Sequence, residues 1–168
     1  MSVVAIPTDA ELLAQAAALG HSLTRSNQTV VTAESCSGGW IAKVITDVVG
    51  CSAWFEAGLV AYSYEAKQAL LGVRQETLLR VGAVSEETAL EMVSGALIRS
   101  GATLAVAVTG IAGPGGGTRD KPVGSIWIAW MRRGGYPRAK LFHFEGDREE
   151  VRRQTVAAAL AGLQAMLA

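Results

Sequence analysis

Apolar and polar positions along this chain switch repeatedly between a helical period and a strand period. Thr8 and Glu11 stand at capping-box spacing, and Leu12, Leu13, Ala16, Ala17, Leu19 and Leu23 follow at helical intervals. Residues 29–33 are a short β-branched run that predicts a strand. Ile41, Val44, Ile45 and Val48 then predict a helix that Gly50 ends. Residues 56–63 predict a second strand with Tyr62 at its exit. Residues 64–71 predict a short helix that carries Lys67 and is closed by Gly72.

The second half keeps this alternation. Ser85 can cap a helix from 86 to about 99, with Ala89, Val93, Ala96 and Leu97 as its core stripe. Residues 104–108 are apolar on both faces, as a central strand covered above and below requires. A long loop over 111–123 follows, holding Gly113, Pro114, Gly115, Gly116 and Gly117, and loops of that length inside compact domains are usually functional or disordered. Residues 124–130 and 138–144 read as a strand pair joined by the turn Arg132-Arg133-Gly134-Gly135. A last helix from about 147 points Val151, Val156, Leu160 and Leu163 inward. Strands and helices in this order predict a single-domain α/β fold over residues 1–168. The expected architecture is a three-layer α/β/α sandwich whose sheet is mixed because of the late hairpin.

Composition narrows the function classes. With 168 residues and 50% hydrophobic content the chain can bury a real core. Lys plus Arg and Asp plus Glu both number 15, so no net field favours a polyanion, and nucleic-acid binding has no electrostatic support. No run reaches the roughly 18 uninterrupted apolar residues of a membrane span, and no basic segment leads into an apolar one at the N-terminus. A soluble, cytoplasmic protein is expected. Two cysteines, Cys36 and Cys51, make neither a disulfide framework nor a metal cluster, so no metal and no cofactor are expected.

Candidate chemistry gathers first in Thr32-Ala33-Glu34-Ser35-Cys36-Ser37-Gly38-Gly39, where a strand hands over to a helix. Free N–H groups and the helix dipole at such a junction would stabilise an anion. Ser35 and Ser37 are both candidate nucleophiles, and either needs a base. His21 and His143 read as ordinary structural residues. Lys67 is the better base, because a lysine desolvated beside a strand end loses its proton more easily, and serine–lysine pairs are an established arrangement. A solvated helix lysine is the alternative. Tyr62 could relay a proton or orient the lysine, or be a half-buried strand aromatic. Glu34 could balance the lysine or cap the next helix, and Cys36 ranks below the serines for want of a histidine partner.

A second constellation is Thr109-Gly110-Ile111-Ala112-Gly113-Pro114, which allows close backbone approach to a ligand and precedes Arg119 and Lys121. No Gly-Lys-Ser/Thr follows at Walker spacing. Gly146-Asp147-Arg148 opens the last helix, where Arg148 could hold a phosphate or merely follow a cap.

Taken together, Ala33-Glu34-Ser35-Cys36-Ser37-Gly38-Gly39, Val60-Ala61-Tyr62-Ser63 with Lys67, Leu71-Gly72-Val73, Gly82-Ala83-Val84-Ser85, Thr109 to Pro114, Lys121-Pro122-Val123-Gly124 and Gly146-Asp147-Arg148 resemble the CinA C-terminal domain family. The resemblance covers nearly the whole chain in order. Its stand-alone members look like nicotinamide-nucleotide amidases, which convert nicotinamide mononucleotide to nicotinic acid mononucleotide and ammonia. The resemblance implies a serine amidohydrolase acting without metal on a small pyridine nucleotide. Ser35 would be the nucleophile, with Lys67 and Tyr62 as base and proton relay. Backbone N–H groups near Ser37, Gly38 and Gly39 would form the oxyanion hole. Thr109, Gly110 and Gly113 would line the nucleotide site, with Arg148 toward the phosphate. It also implies a homodimer, while the neutral charge and the lack of an apolar span leave no nucleic-acid or membrane partner expected.

Two departures from the family pattern stand out. Ser37 replaces a frequent Thr, which keeps a hydroxyl and a second possible nucleophile, and Tyr64 replaces a frequent Asn near Lys67. A site disabled by Tyr64 would leave a non-catalytic nucleotide-binding or partner-docking module as the alternative function.

Overall fold

The computed structural model describes residues 5–168, so residues 1–4 of the expected domain lie outside the described residues. Five strands form one mixed sheet in the order β2-β1-β3-β4-β5. They are β1 (Val30–Glu34), β2 (Phe55–Val60), β3 (Leu104–Gly110), β4 (Ser125–Arg132) and β5 (Arg138–His143). β1 lies parallel to both β2 and β3, while β4 and β5 add the antiparallel hairpin at one edge.

Helices cover both faces. On one side lie α1 (Asp9–Arg25), α2 (Trp40–Thr46) and α6 (Arg148–Ala165), packed over Val30, Leu104, Val106 and Val108. On the other lie α3 (Tyr64–Leu71), α4 (Gln75–Val81) and α5 (Glu86–Ile98), over Val31, Ala33, Ala105 and Ala107. Alternation along β1 and β3 sends neighbouring side chains to opposite cores, which is why these strands read as continuous apolar runs. The expected three-layer sandwich is therefore what forms.

Local signals place the elements well. The Thr8–Glu11 capping box is made in both directions, and Ser85 caps α5 by accepting from Thr88 N–H. α3 begins at Ser63, whose hydroxyl accepts from Ala66 N–H, and ends at Gly72 in the left-handed conformation at φ 67°. α5 packs tightly on the end of α3, since any side chain at Gly95 would collide with the Leu71 carbonyl. Two elements were not anticipated, α4 and the single 3-10 turn Cys51–Ala53. The strand predicted over 29–33 sits one residue later, so Glu34 belongs to the sheet.

Topology now sets the site. From β1 the chain moves to one side through α2, and from β2 it crosses back past β1 to β3 through helices on the opposite face. The connections diverge outside the carboxyl end of β1, the position where open α/β sheets form their binding crevices. β2 and β3 end on the same edge because they are parallel to β1. β5 also runs that way, being antiparallel to β4, so α6 starts on this edge too. Four chain segments distant in sequence converge there.

Candidate active site

Ser35 is the first residue beyond β1, anchored by its N–H to the Val108 carbonyl at 3.1 Å. Lys67 reaches it from α3, with Nζ 2.9 Å from Ser35 Oγ. The same Nζ lies 3.0 Å from the carbonyl oxygens of Ala61 and of Tyr62, at the exit of β2. Lys67 is only 1% exposed. Burial pulls its amine below the ordinary lysine value, with the neighbouring Cys36 thiol pulling weakly the other way. No carboxylate pairs with it among the described residues. A neutral amine has two N–H donors and one lone pair. The two carbonyls match the donors, which leaves the lone pair for the Ser35 hydroxyl proton.

Ser37 has a different partner. Its Oγ donates to Glu34 Oε1 at 2.7 Å, and the Glu34 carboxylate also accepts from Ile41 N–H at 2.8 Å and Ala42 N–H at 3.0 Å. Glu34 thus caps α2 from inside the sheet and occupies the helix terminus that was expected to be free for an anion. Both residues are wholly buried, whereas Ser35 retains 8% exposure. Cys36 is buried as well, and desolvation pushes its thiol up to about 12, far from a reactive thiolate at neutral pH.

Tyr62 meets Lys67 through its backbone carbonyl, not through its phenol. The side chain is 62% exposed, and its hydroxyl lies 3.4 Å from Arg148 Nη2. Arg148 in turn donates from Nη1 to the Gly113 carbonyl at 2.8 Å, which joins α6, the glycine loop and the β2 exit. Gly113 holds a positive φ of 84°. Gly110 is small for a different reason: a Cβ there would press into Ile126 and the Ser125 carbonyl of β4. Thr109 is buried and donates its hydroxyl to the Ala83 carbonyl, while Ala83 N–H donates to Tyr64 Oη. Tyr64 therefore braces the 82–85 loop. Lys121 caps α4 through the Val81 carbonyl, Arg119 is exposed, and so are His21 and His143.

An open groove of about 670 Å³ is bordered by Gly38, Gly39 and Trp40, in the turn and helix that follow Ser35 in the chain, and by Arg148 and Arg152 of α6. Arg153 and Lys43 also border it, but Arg153 is paired with Asp9 and Glu149, and Lys43 with Asp47. Arg148 and Arg152 have no carboxylate partner among the described residues. Arg152 was missed by the sequence reading: its Nε donates to the Cys36 carbonyl at 3.2 Å and its Nη2 to the Ser37 carbonyl at 2.9 Å. Its spacing of four from Arg148 puts both on one face of α6, and that was the available signal. Among the described residues no three His, Cys, Asp or Glu side chains gather as metal ligands, and no helix is long and apolar enough to cross a membrane.

Comparison with known proteins places this geometry in context. Residues 13–167 match the CinA C-terminal domain. The chain is 51% identical over 156 residues to the nicotinamide-nucleotide amidohydrolase PncC of Escherichia coli, covering 93% of this chain and 94% of that protein. It is 55% identical over 145 residues to PncC of Pseudomonas putida, covering 86% and 90%. Among solved structures, the competence/damage inducible protein CihA of Agrobacterium tumefaciens superposes with a TM-score of 0.90 at 44% identity, covering 98% of each chain.

Proposed function

This chain belongs to the CinA C-terminal domain family, and from that premise we propose that it is a nicotinamide-nucleotide amidohydrolase working through Ser35 and Lys67. Nicotinamide mononucleotide is the substrate, and nicotinic acid mononucleotide and ammonia are the products. The observation that carries the mechanism is the 2.9 Å contact between Ser35 Oγ and a buried lysine whose other two contacts are carbonyl oxygens.

In the first step the Ser35 oxygen bonds to the carboxamide carbon while its proton passes to the Lys67 amine. Charge moves to the former amide oxygen. Gly38 N–H is committed to the Ser35 carbonyl, so the donors this reading leaves for the oxyanion are the turn N–H groups with no assigned acceptor in the described residues, those of Cys36, Ser37 and Gly39. The intermediate collapses by breaking the C–N bond, and the Lys67 ammonium returns a proton to the leaving nitrogen, which departs as ammonia. Water then attacks the acyl ester while Lys67 takes its proton, and as the ester C–O bond breaks Lys67 returns that proton to Ser35 Oγ, leaving the free hydroxyl and the acid as product. No step calls for a metal.

Arg148, without a carboxylate partner and with Tyr62 and Gly113 at its guanidinium, is the phosphate contact at the groove mouth. Thr109, Gly110 and Gly113 belong to the nucleotide site in this reading, with Thr109 acting through the 82–85 loop it holds. Tyr62 orients Lys67 by its carbonyl, and its exposed phenol borders the nucleotide. The reading includes a single domain assembled as a homodimer and a role in cytoplasmic pyridine nucleotide salvage.

Purified protein given nicotinamide mononucleotide, with chelator present, is expected to release one ammonia per nicotinic acid mononucleotide formed. Folded protein that binds the nucleotide tightly but releases no ammonia between pH 6 and 10 overturns the proposal in favour of a binding module. Light scattering and cell fractionation test the assembly and location.

A further inference from the structure

Of the four cations that border the groove between α2 and α6, two are neutralised and two are not. Arg153 pairs with Asp9 and Glu149, and Lys43 with Asp47. Arg148 and Arg152 have no carboxylate partner among the described residues, although Glu149 lies between them in the sequence and is spent on Arg153. Cationic side chains that leave solvent are ordinarily paired. Arg152 is half-buried, so its bare charge calls for a counter-ion that the groove's own side chains do not supply.

The Arg152 guanidinium is oriented before any ligand arrives. Its Nε donates to the Cys36 carbonyl and its Nη2 to the Ser37 carbonyl, which uses the side edge of the fork, and the Trp40 ring lies against it at 5.2 Å. The two N–H groups on Nη1 and the second on Nη2 have no acceptor among the described residues, and they form the end edge of the fork. That edge matches two oxygens of one anion, which a lysine point charge cannot do. Gly38 keeps the space beside it open, since a Cβ there would come within 3.1 Å of Arg152 Nη2. Arg148 stands one helical turn earlier on the same face of α6, its Nη1 and Nη2 turned to Gly113 and Tyr62 and its Nε–H without an acceptor among the described residues. Two uncompensated guanidiniums side by side suit a dianion better than a single carboxylate, and a phosphate monoester carries roughly two negative charges at neutral pH.

We propose that Arg148 and Arg152 form a two-arginine site for a terminal phosphate monoester, in which Arg152 supplies the pre-oriented fork and sets the preference for a nucleotide over its riboside. This rests on the amidase reading above for the identity of the nucleotide, and it adds Arg152 to the phosphate contact which that reading gives to Arg148.

The test compares full-length wild type with Arg152→Gln and Arg152→Lys on nicotinamide mononucleotide and on nicotinamide riboside, which lacks the phosphate. Arg152→Gln is expected to raise KM for the mononucleotide about 30-fold with kcat within about threefold, and to cut the mononucleotide-over-riboside ratio of kcat/KM by a similar factor. Arg152→Lys keeps a charge without a fork, should lose about tenfold, and is the readout if the glutamine variant does not fold. A ratio that stays at the wild-type value in whichever variant folds overturns the inference, because a residue that merely shapes the turn slows both substrates alike. A second arm needs no turnover: in calorimetry, ribose 5-phosphate should bind the variant about 30-fold more weakly than wild type. Equal binding to both proteins overturns the inference, and inorganic phosphate binding wild type as tightly as ribose 5-phosphate overturns the assignment to an ester. A wild-type protein that releases no ammonia overturns the amidase reading itself and leaves the calorimetry to decide the phosphate site.

Discussion

Ser35 and Ser37 stand two residues apart on one turn, and each donates or shares a proton with a buried charged-type side chain, yet the surroundings assign them opposite tasks. Ser35 faces Lys67, an amine whose remaining contacts are carbonyls and whose proton affinity burial has reduced. Ser37 faces Glu34, whose carboxylate is already accepting from two helix N–H groups and is sealed from solvent. A base must have both an open proton position and access to substrate. Lys67, itself only 1% exposed, has the open proton position and acts on substrate through Ser35, the serine that keeps exposure, while Glu34 is spent on holding α2 against the sheet.

The largest effect that could break this contrast is on turnover. Ser35→Ala is expected to reduce kcat on the order of a thousandfold or more, and Lys67→Arg equally, because a guanidinium never releases its proton at accessible pH. Ser37→Ala should leave kcat within about tenfold. If ammonia release survives Ser35→Ala and vanishes in Ser37→Ala, the two serines have been assigned the wrong way round.

Next in size comes stability, where Glu34 should dominate. Glu34→Ala strands Ile41 N–H, Ala42 N–H and the Ser37 hydroxyl in a buried place, at a cost of about 3 kcal/mol. Urea denaturation of the variant beside wild type measures it, and an unchanged midpoint would remove the capping role. Ser37→Ala, which leaves the carboxylate two of its three partners, should cost only about 1 kcal/mol.

The pH profile gives a smaller but cleaner distinction. Only neutral Lys67 can take the Ser35 proton, so kcat/KM should rise with pH to a plateau, with an apparent pKa below the 10.5 of an ordinary lysine. One pH unit below that pKa the loss is about tenfold. The matching stability effect has the same sign: the native chain binds fewer protons than the unfolded one between the two lysine values. Lys67's favourable contribution is therefore complete above 10.5 and is lost as pH falls through the lowered value. A rate that is flat across this range, or falls as pH rises, would detach Lys67 from the base role.

Much of this could be read from the residues in order. The α1 capping box, the Ser85 cap, Gly72 as the stop of α3 and the apolar run of β3 are all local signals, made by side chains within a few positions of the backbone they govern. α4 was missed because its N-terminal flank, Arg74, supplies no side-chain cap and its seven residues are too short to establish a period. At the site, Ser35 and Lys67 were legible as types. The orientation of Tyr62, the commitment of Glu34 to a helix cap, and the part taken by Arg152 were not.

Sequence by itself determined the alternation of elements, the two-faced core and the presence of a serine at a strand end, a lysine on a short helix and an arginine at a helix start. Those follow from periodicity and capping, which act over one or two turns of chain. Only the tertiary structure decided which serine meets the lysine, because that contact spans 32 residues and depends on β1 and β2 ending on the same sheet edge. It likewise decided that the lysine is buried rather than solvated. Burial is a property of the layers packed around a side chain, and it is burial that lowers the amine's proton affinity and makes an ordinary residue type a base.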